Sequence, residues 1–368
     1  MIIFRYLSKD VLVSTFAVTL VLLLIMLSGR FVGYLADAAQ GKLAVDVLFF
    51  IMGYRMPGFL EVILPIGFFI GVLLVYGRLY IESEMVVLSA CGMSPRQLIT
   101  ITLIPTAFVA LLVAFLSVWI APLGAAKTAQ ILEEQRNRSE FESLNPGRFQ
   151  AIGQGQTTTY IEHITDNRKR LGNVFIARRD DINHPMVAVA ESGEQYQHPE
   201  YQQRYLVLKE GFRYEGKPGT ANFRITRFSS YGQYMPPAAA STEIVTDADA
   251  KSTIDLWKSN DTADRAALHW RLSAPVLVFV ACLLAVPLSR TNPRQGRYLK
   301  MLPALIIYIF YFTFLMSVRG QMDSGKMGIF PGLWIVHIPF ILLALVLINW
   351  PNYLLWRRRN NTGKLSHA

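Results

Sequence analysis

Cysteine is nearly absent. The 368 residues hold two, Cys91 and Cys282. Both lie outside the long polar stretch from Pro122 to Trp270, so no disulfide can staple that stretch and it must build its own core. The six histidines are scattered and no zinc-type Cys/His spacing occurs, so no metal site is expected. Acidic residues are scarce outside the polar stretch. Between 122 and 270 there are 18 Lys+Arg and 19 Asp+Glu, and the rest of the chain holds 18 basic and only 7 acidic residues. The net charge of +10 therefore sits with the apolar parts, as membrane topology requires, and is weak evidence for nucleic acid. A complete phosphate-binding loop is also missing. Gly211–Lys217 and Gly320–Lys326 have the glycine spacing, but Pro218 and Met327 stand where Ser or Thr must bind magnesium. The chain is expected to hydrolyse no ATP and to carry no cofactor, so an ATP-driven role needs a partner.

Apolar residues are abundant: 52% of the chain is hydrophobic and the mean hydropathy is +0.31. Soluble domains run nearer about 45–50% apolar, so membrane spans are expected. Val11 to Ser28 is free of charge and long enough to span. Its run is too long for a signal peptide and no clean cleavage site closes it. Arg30 follows at its outer end. Val47 to Gly77 is too long for one span, and Pro57 and Pro65 predict an outer, tilted or broken piece with Arg55 before a spanning part near Pro57–Tyr76. Glu61 then lies at membrane depth, where pairing with Arg55 or a polar interior would satisfy it. Leu98 to Ala121 is a third span, with Pro105 inside and Trp119 near its outer end. Leu272 to Leu288, Met301 to Val318 and Ile329 to Trp350 are three more, and His337 in the last reads as a hydrogen-bonded packing residue.

Asn145 to Tyr234 reads as all β. Alternating, β-branched and aromatic runs occupy 157–164, 173–177, 186–190, 204–209, 212–214 and 222–228. Turn-like residues separate them at Asp166-Asn167, Asp180-Asp181, Ser192-Gly193 and Gly216–Gly219. Short strands at this spacing predict a sandwich or an open barrel. Pro236–Ala240 ends the stretch.

The loop from Ser289 to Lys300 carries Arg290, Arg294, Arg297 and Lys300 without an acid, and the tail holds Arg357, Arg358, Arg359 and Lys364. The positive-inside rule makes both cytoplasmic. With six spans, both termini and Tyr80–Leu98 are inside and the β stretch is outside. The expected layout is 1–121 with three spans, 122–270 as the outside β domain with helical flanks, 271–356 with three spans, and 357–368 as a basic tail.

Tyr80 to Leu98 interrupts two apolar runs. Glu82 and Glu84 open it, Met85, Val86, Val87 and Leu88 follow, and Gly92 closes it. Ser94 as cap, Pro95 in the first turn and Gln97 three residues after the cap predict a fresh helix start. The stretch reads as a short amphipathic helix over about 82–92 laid outside the bilayer. The competing reading is a solvated loop with two ordinary glutamates.

Several of these motifs together resemble the LptF/LptG permease family of the lipopolysaccharide exporter. They are Met1–Leu7, Gly77–Glu84 followed by Ala90–Ser94, Ile254–Trp257, Trp270-Arg271, Pro287–Ser289 and Asn292–Arg297. Ala267 stands where relatives commonly have Glu, and Gly33 where some carry a basic residue. The resemblance covers nearly the whole chain and implies a polytopic α-helical protein of six spans with a periplasmic jellyroll-like β domain in the inner membrane. It implies a heterodimer with LptG, an LptB ATPase dimer that binds the ATP and Mg, and attached LptC. The substrate would be lipopolysaccharide, extracted from the membrane and passed to a periplasmic bridge. It makes Glu84, Glu82, Met85 and Leu88 candidates for ATPase coupling, and Arg30 and Arg55 candidates for lipopolysaccharide contact. The alternatives are a mechanotransmitting permease with a periplasmic domain, an ion-driven transporter, and a membrane assembly protein that transports nothing. Repeated halves and several intramembrane acids would favour the ion-driven reading, and this chain offers Glu61 and no evident repeat.

Overall fold

The computed structural model describes residues 2–39, 43–137, 146–152, 157–165, 170–179, 185–197, 204–216, 223–234, 247–290, 301–328 and 330–365. Most of the basic loop (291–300), three expected turns (166–167, 180–181, 217–219) and Pro236–Ala240 lie outside them. The chain forms two compact units. One comprises Met1–Arg30, Met52–Thr128 and Val245–Ala368; the other comprises Phe31–Ile51 and Ala129–Ile244.

The first unit is helical. Its elements are drawn from α1 (Ile2–Ala39), α2 (Val45–Ile81), α3 (Glu84–Ala90), α4 (Pro95–Phe115), a π-helical turn (Leu116–Ile120), α5 (Ala121–Asn137), α6 (Asp247–Ala250), α7 (Thr253–Lys258), α8 (Thr262–Leu288), α9 (Met301–Asp323) and α10 (Trp334–Leu365). Among the described residues, five helical stretches are long and apolar enough to cross a membrane, and Trp334–Trp350 is a shorter apolar one. Of the outer, tilted or broken piece expected before Pro57, the break does not occur: Pro57 and Pro65 both lie inside one 37-residue helix. A proline forfeits one backbone bond, and neighbouring helices in a bundle make that tolerable.

α1 buries one stripe, Leu7, Val11, Thr15 and Thr19, at the i, i+4 spacing of a helix face. Against it stand Gly67 and Gly71 of α2. A Cβ on Gly67 would meet Thr19 Oγ1 at 2.2 Å, and one on Gly71 would meet Thr15 Oγ1 at 2.8 Å. Glycines four apart thus let two helices approach where no water drives them together. α8 does the same with small residues, burying Ala266, Ala274, Ala281 and Ala285 in the main apolar core.

The second unit holds one antiparallel sheet in meander order, β1 (Phe149–Ile152), β2 (Thr157–Thr165), β3 (Arg170–Arg179), β4 (Pro185–Gln197), β5 (Arg204–Gly216) and β6 (Phe223–Tyr234). Among the described residues β1 and β6 do not pair, so the sheet is open. One face is packed around Ile161, Leu171, Val174, Ile176, Leu206 and Leu208.

Two sequence expectations fail here. Ser192-Gly193 is no turn but lies inside β4, and 204–209 and 212–214 are one strand, β5. The cause is a row that crosses the sheet. Pairing skips Glu162, Asn173, Glu191, Glu210 and Ser229, one residue in each strand from β2 to β6. Asn173 and Glu210 there have φ of 49° and 50°. In β5, Leu208 is buried, Lys209 and Glu210 face out, and Gly211 is buried again. β2 to β6 all make the same departure, so the register is identical on both sides of the row. The broken alternation mimics a strand end in sequence. Gly193 stays small for a separate reason: a Cβ there would lie 3.2 Å from Leu206 Cδ1 and 3.3 Å from Leu208 Cδ2.

Candidate functional site

The polar interruption after α2 is built as a helix between two turns. Glu82 and Ser83 form the first, with Ser83 left-handed at φ 62°, so the helix begins at Glu84 rather than Glu82. Gly92, at φ 94°, forms the second. The predicted capping box is present: Ser94 Oγ accepts from Gln97 N at 3.2 Å, and Gln97 Oε1 accepts from Ser94 N at 2.8 Å. The seven residues of α3 are thus bounded by a turn at each end.

Its side chains divide differently from the sequence expectation. Met85 is buried in the chain's own core, and Leu88 packs partly against that core. The outward apolar pair is Val86 and Val87, each 61% exposed. Glu84 Oε2 accepts a hydrogen bond from Tyr6 Oη at 3.2 Å. Glu82 is exposed, with Arg78 Nε 3.8 Å away, and Arg78 Nη2 holds Asp10 Oδ2 at 2.6 Å. Tyr6 and Asp10 belong to α1, so the first turns of α1 are tied to the α2–α3 corner. Tyr6 and Arg78 lie in the motifs Met1–Leu7 and Gly77–Glu84, but nothing in the sequence paired Tyr6 with Glu84 or Arg78 with Asp10, since the pairs span 78 and 68 positions.

Arg30 is not beyond the end of a helix, because α1 continues to Ala39. Its guanidinium lies 5.7 Å from the centroid of Phe59, and that of Arg55 lies 6.0 Å from the same ring. Phe59 is buried while Arg30 is exposed. Two residues 25 positions apart are thus brought to one aromatic ring, for which Phe59 gave no sequence signal. Like charges gathered there suit an anion able to accept from both, and guanidinium groups match phosphate oxygens.

Glu61 is buried, and its Oε1 accepts from Ser117 Oγ at 2.8 Å. Ser117 lies in the π-helical turn, the kind of irregularity that opens a helix to outside partners. The expectation of a polar interior around Glu61 is met. His337 is also the packing residue expected: Nε2 contacts Ser273 Oγ at 2.6 Å and Nδ1 contacts Tyr311 Oη at 2.5 Å, which joins α10 to α8 and α9. Ala267 is buried beside Leu256 and Leu268, and a Cβ on Gly33 would stand in open space.

On the sheet, the face opposite the packed core carries exposed Phe149, Val189, Phe212 and Ile225. A groove of about 500 Å³ runs there, floored by Tyr160, Phe175 and Phe212 and edged by Glu162, Glu191 and Glu210.

Comparison with known proteins agrees with this architecture. The family model described as lipopolysaccharide export system permease LptF/LptG matches residues 5–350. The chain is 33% identical over 352 residues to the lipopolysaccharide export system permease protein LptF of Escherichia coli (strain K12), covering 95% of each chain. The protein of the same name from Shigella flexneri matches equally, at 33% over 352 residues and 95% of each chain. An apolar helical bundle, an antiparallel sheet domain and a match along almost the full length lead to one assignment: the chain belongs to the LptF/LptG permease family.

Proposed function

We propose that this protein is the transmembrane permease subunit that extracts lipopolysaccharide from the inner membrane and passes it to a periplasmic bridge. The work is supplied by a separate ATPase pair of the LptB kind, and the second permease half is of the LptG kind, with LptC attached. Six spans place both termini and α3 in the cytoplasm, with α10 as the sixth, and the sheet in the periplasm as an open jellyroll-like domain. The basic residues at 290–300 and 357–364 support that orientation.

The observation that carries the reading is α3. It is short, pinned at both ends, and presents Val86, Val87 and Glu84 outward from the corner between two spans. Such a helix can seat in a groove of a motor subunit, with Glu84 opposite a basic residue. Movement of the motor then reaches α2 and α4 directly and α1 through Tyr6 and Asp10. At the other end of α1, Arg30 and Arg55 offer two guanidinium groups to the anionic phosphates of the lipid. The groove of the sheet is amphipathic, with aromatic Tyr160, Phe175 and Phe212 beside Glu162, Glu191 and Glu210, so it offers an acyl chain apolar rings and a charged rim together.

The test is purification from membranes followed by reconstitution. The chain should bring down an ATPase and a second permease half, and the vesicles should release lipopolysaccharide only with ATP. A chain that isolates without an ATPase, or vesicles that release no lipid, would sink this reading. ATP-driven conformational change without lipid release would favour the mechanotransmitting permease.

A further inference from the structure

The short helix α7 presents three distinct sectors. Leu256 is fully buried, packed with Ala248, Ala267 and Leu268. Ile254 and Trp257, three positions apart and so on one side, are 68% and 65% exposed. Asp255 and Lys258, also three apart, are exposed on the remaining side. A helix resting on protein in water needs only two sectors, one buried and one polar. The third, a bare Ile–Trp edge between them, is what a helix at the boundary of protein, water and lipid requires.

Its place fits. Thr253 Oγ1 donates to the carbonyl of Val118 at 2.7 Å, inside the π-helical turn that ends the third apolar stretch. Trp119, next to that carbonyl, is 63% exposed and meets Phe115 edge-on. Tryptophan concentrates where hydrocarbon meets headgroups, because its ring is apolar and its N–H polar. Trp257 and Trp119 therefore stand on neighbouring elements at one end of the apolar bundle.

The helix is also prevented from rolling. Arg271 is buried and spends its guanidinium on backbone carbonyls and one hydroxyl rather than on a carboxylate. Its Nη2 donates to the carbonyls of Asp249 at 3.0 Å and Lys251 at 2.8 Å, and its Nη1 to Thr253 Oγ1 at 2.8 Å. Lys251 Nζ reaches both oxygens of Asp264, at 2.9 and 2.8 Å. Arg319 Nη2 holds Asp249 Oδ1 at 2.7 Å while lying 5.0 Å from the Trp270 ring centroid. These bonds fix α6 and α7 to α8 and α9, so the exposed edge cannot turn inward to bury itself.

We propose that α7 is an interfacial helix, with Ile254 and Trp257 inserted among the lipids of the leaflet at the Val118 end of the bundle and Asp255 and Lys258 in water. Its partner is a lipid surface. The Arg271 and Arg319 bonds are the clamp that sets its depth where the chain returns to the membrane.

Single cysteines at 254, 255, 257 and 258, in a C91S background that leaves buried Cys282 in place, can carry a nitroxide in the full complex in phosphatidylethanolamine–phosphatidylglycerol nanodiscs. At 254 and 257, collisions with oxygen should exceed those with a water-soluble nickel chelate severalfold, and at 255 and 258 the order should reverse. Chelate access at 254 and 257 equal to that at 255 and 258 would overturn the proposal, and so would protection from both reagents, which would mean a protein cover. Should the labelled variants fail to assemble, brominated lipid should quench the parent chain more than W257F. Equal quenching of the two would also overturn it.

Discussion

Tyr6 near the start of α1 donates its hydroxyl to Glu84, the first residue of α3, at 3.2 Å. A second tie, Arg78 to Asp10 at 2.6 Å, lies beside it. A carboxylate has room for several donors, so Tyr6 can orient Glu84 without blocking a basic partner.

Glu84→Ala is therefore expected to weaken association with the ATPase by roughly 2–5 kcal/mol if the interface is dry, much of it from stranding the partner's charge. Tyr6→Phe and Glu82→Ala should each cost about 0–1 kcal/mol, the range for exposed pairs. Co-purification and lipid-coupled ATPase assays read both. If Glu84→Ala binds the ATPase and moves lipid like the parent, Glu84 is a solvated residue and the coupling role falls.

Arg30→Glu should lower lipopolysaccharide binding at unchanged expression, with Arg30→Lys in between, since an ammonium lacks the planar fork that grips two phosphate oxygens. Arg55→Glu should act in the same direction because both guanidinium groups share Phe59. A photo-crosslinker at position 30 checks this, and the absence of any lipid adduct would leave Arg30 as an interface anchor.

His337→Ala removes the partner of two buried hydroxyls, on Ser273 and Tyr311. Each orphaned group is expected to cost about 1–3 kcal/mol. Thermal unfolding in detergent should show a clear loss, and His337→Ala paired with Ser273→Ala should be less than additive. Full additivity would show that the two residues do not interact.

Glu194 gives a pH prediction. The hydrogen bond from Lys209 Nζ at 2.6 Å, then the charges of Lys209 and Arg170, hold its carboxyl below the ordinary value. A lowered folded pKa adds stability above the unfolded value, near about 4.3 for glutamate, and loses it as pH falls through the folded value. Amide protection factors at β3–β5 in the full chain, taken against the intrinsic exchange rate at each pH, should therefore fall on acidification past that range, and Glu194→Gln should flatten this response. The same acid response in Glu194→Gln would assign it to other groups.

The sequence by itself determined the elements whose causes are local. The long apolar helices follow from uninterrupted apolar length, the capping box at Ser94 from residue types three apart, and the β stretch from alternation. The family was legible for the same reason, because its motifs are short and contiguous. Helix continuity through Pro57 and Pro65 was decided only in three dimensions, since neighbours compensate a bond that the local sequence loses. The strand ends were masked by the row through Asn173 and Glu210, where alternation breaks in β2 to β6 while pairing register does not. Contact between Arg30, Phe59 and Arg55, the tie from Tyr6 to Glu84, and the burial of Met85 beside the exposed Val86 depend on how distant helices pack. No short-range pattern encodes those distances, so tertiary structure alone settled which of the candidate residues face outward.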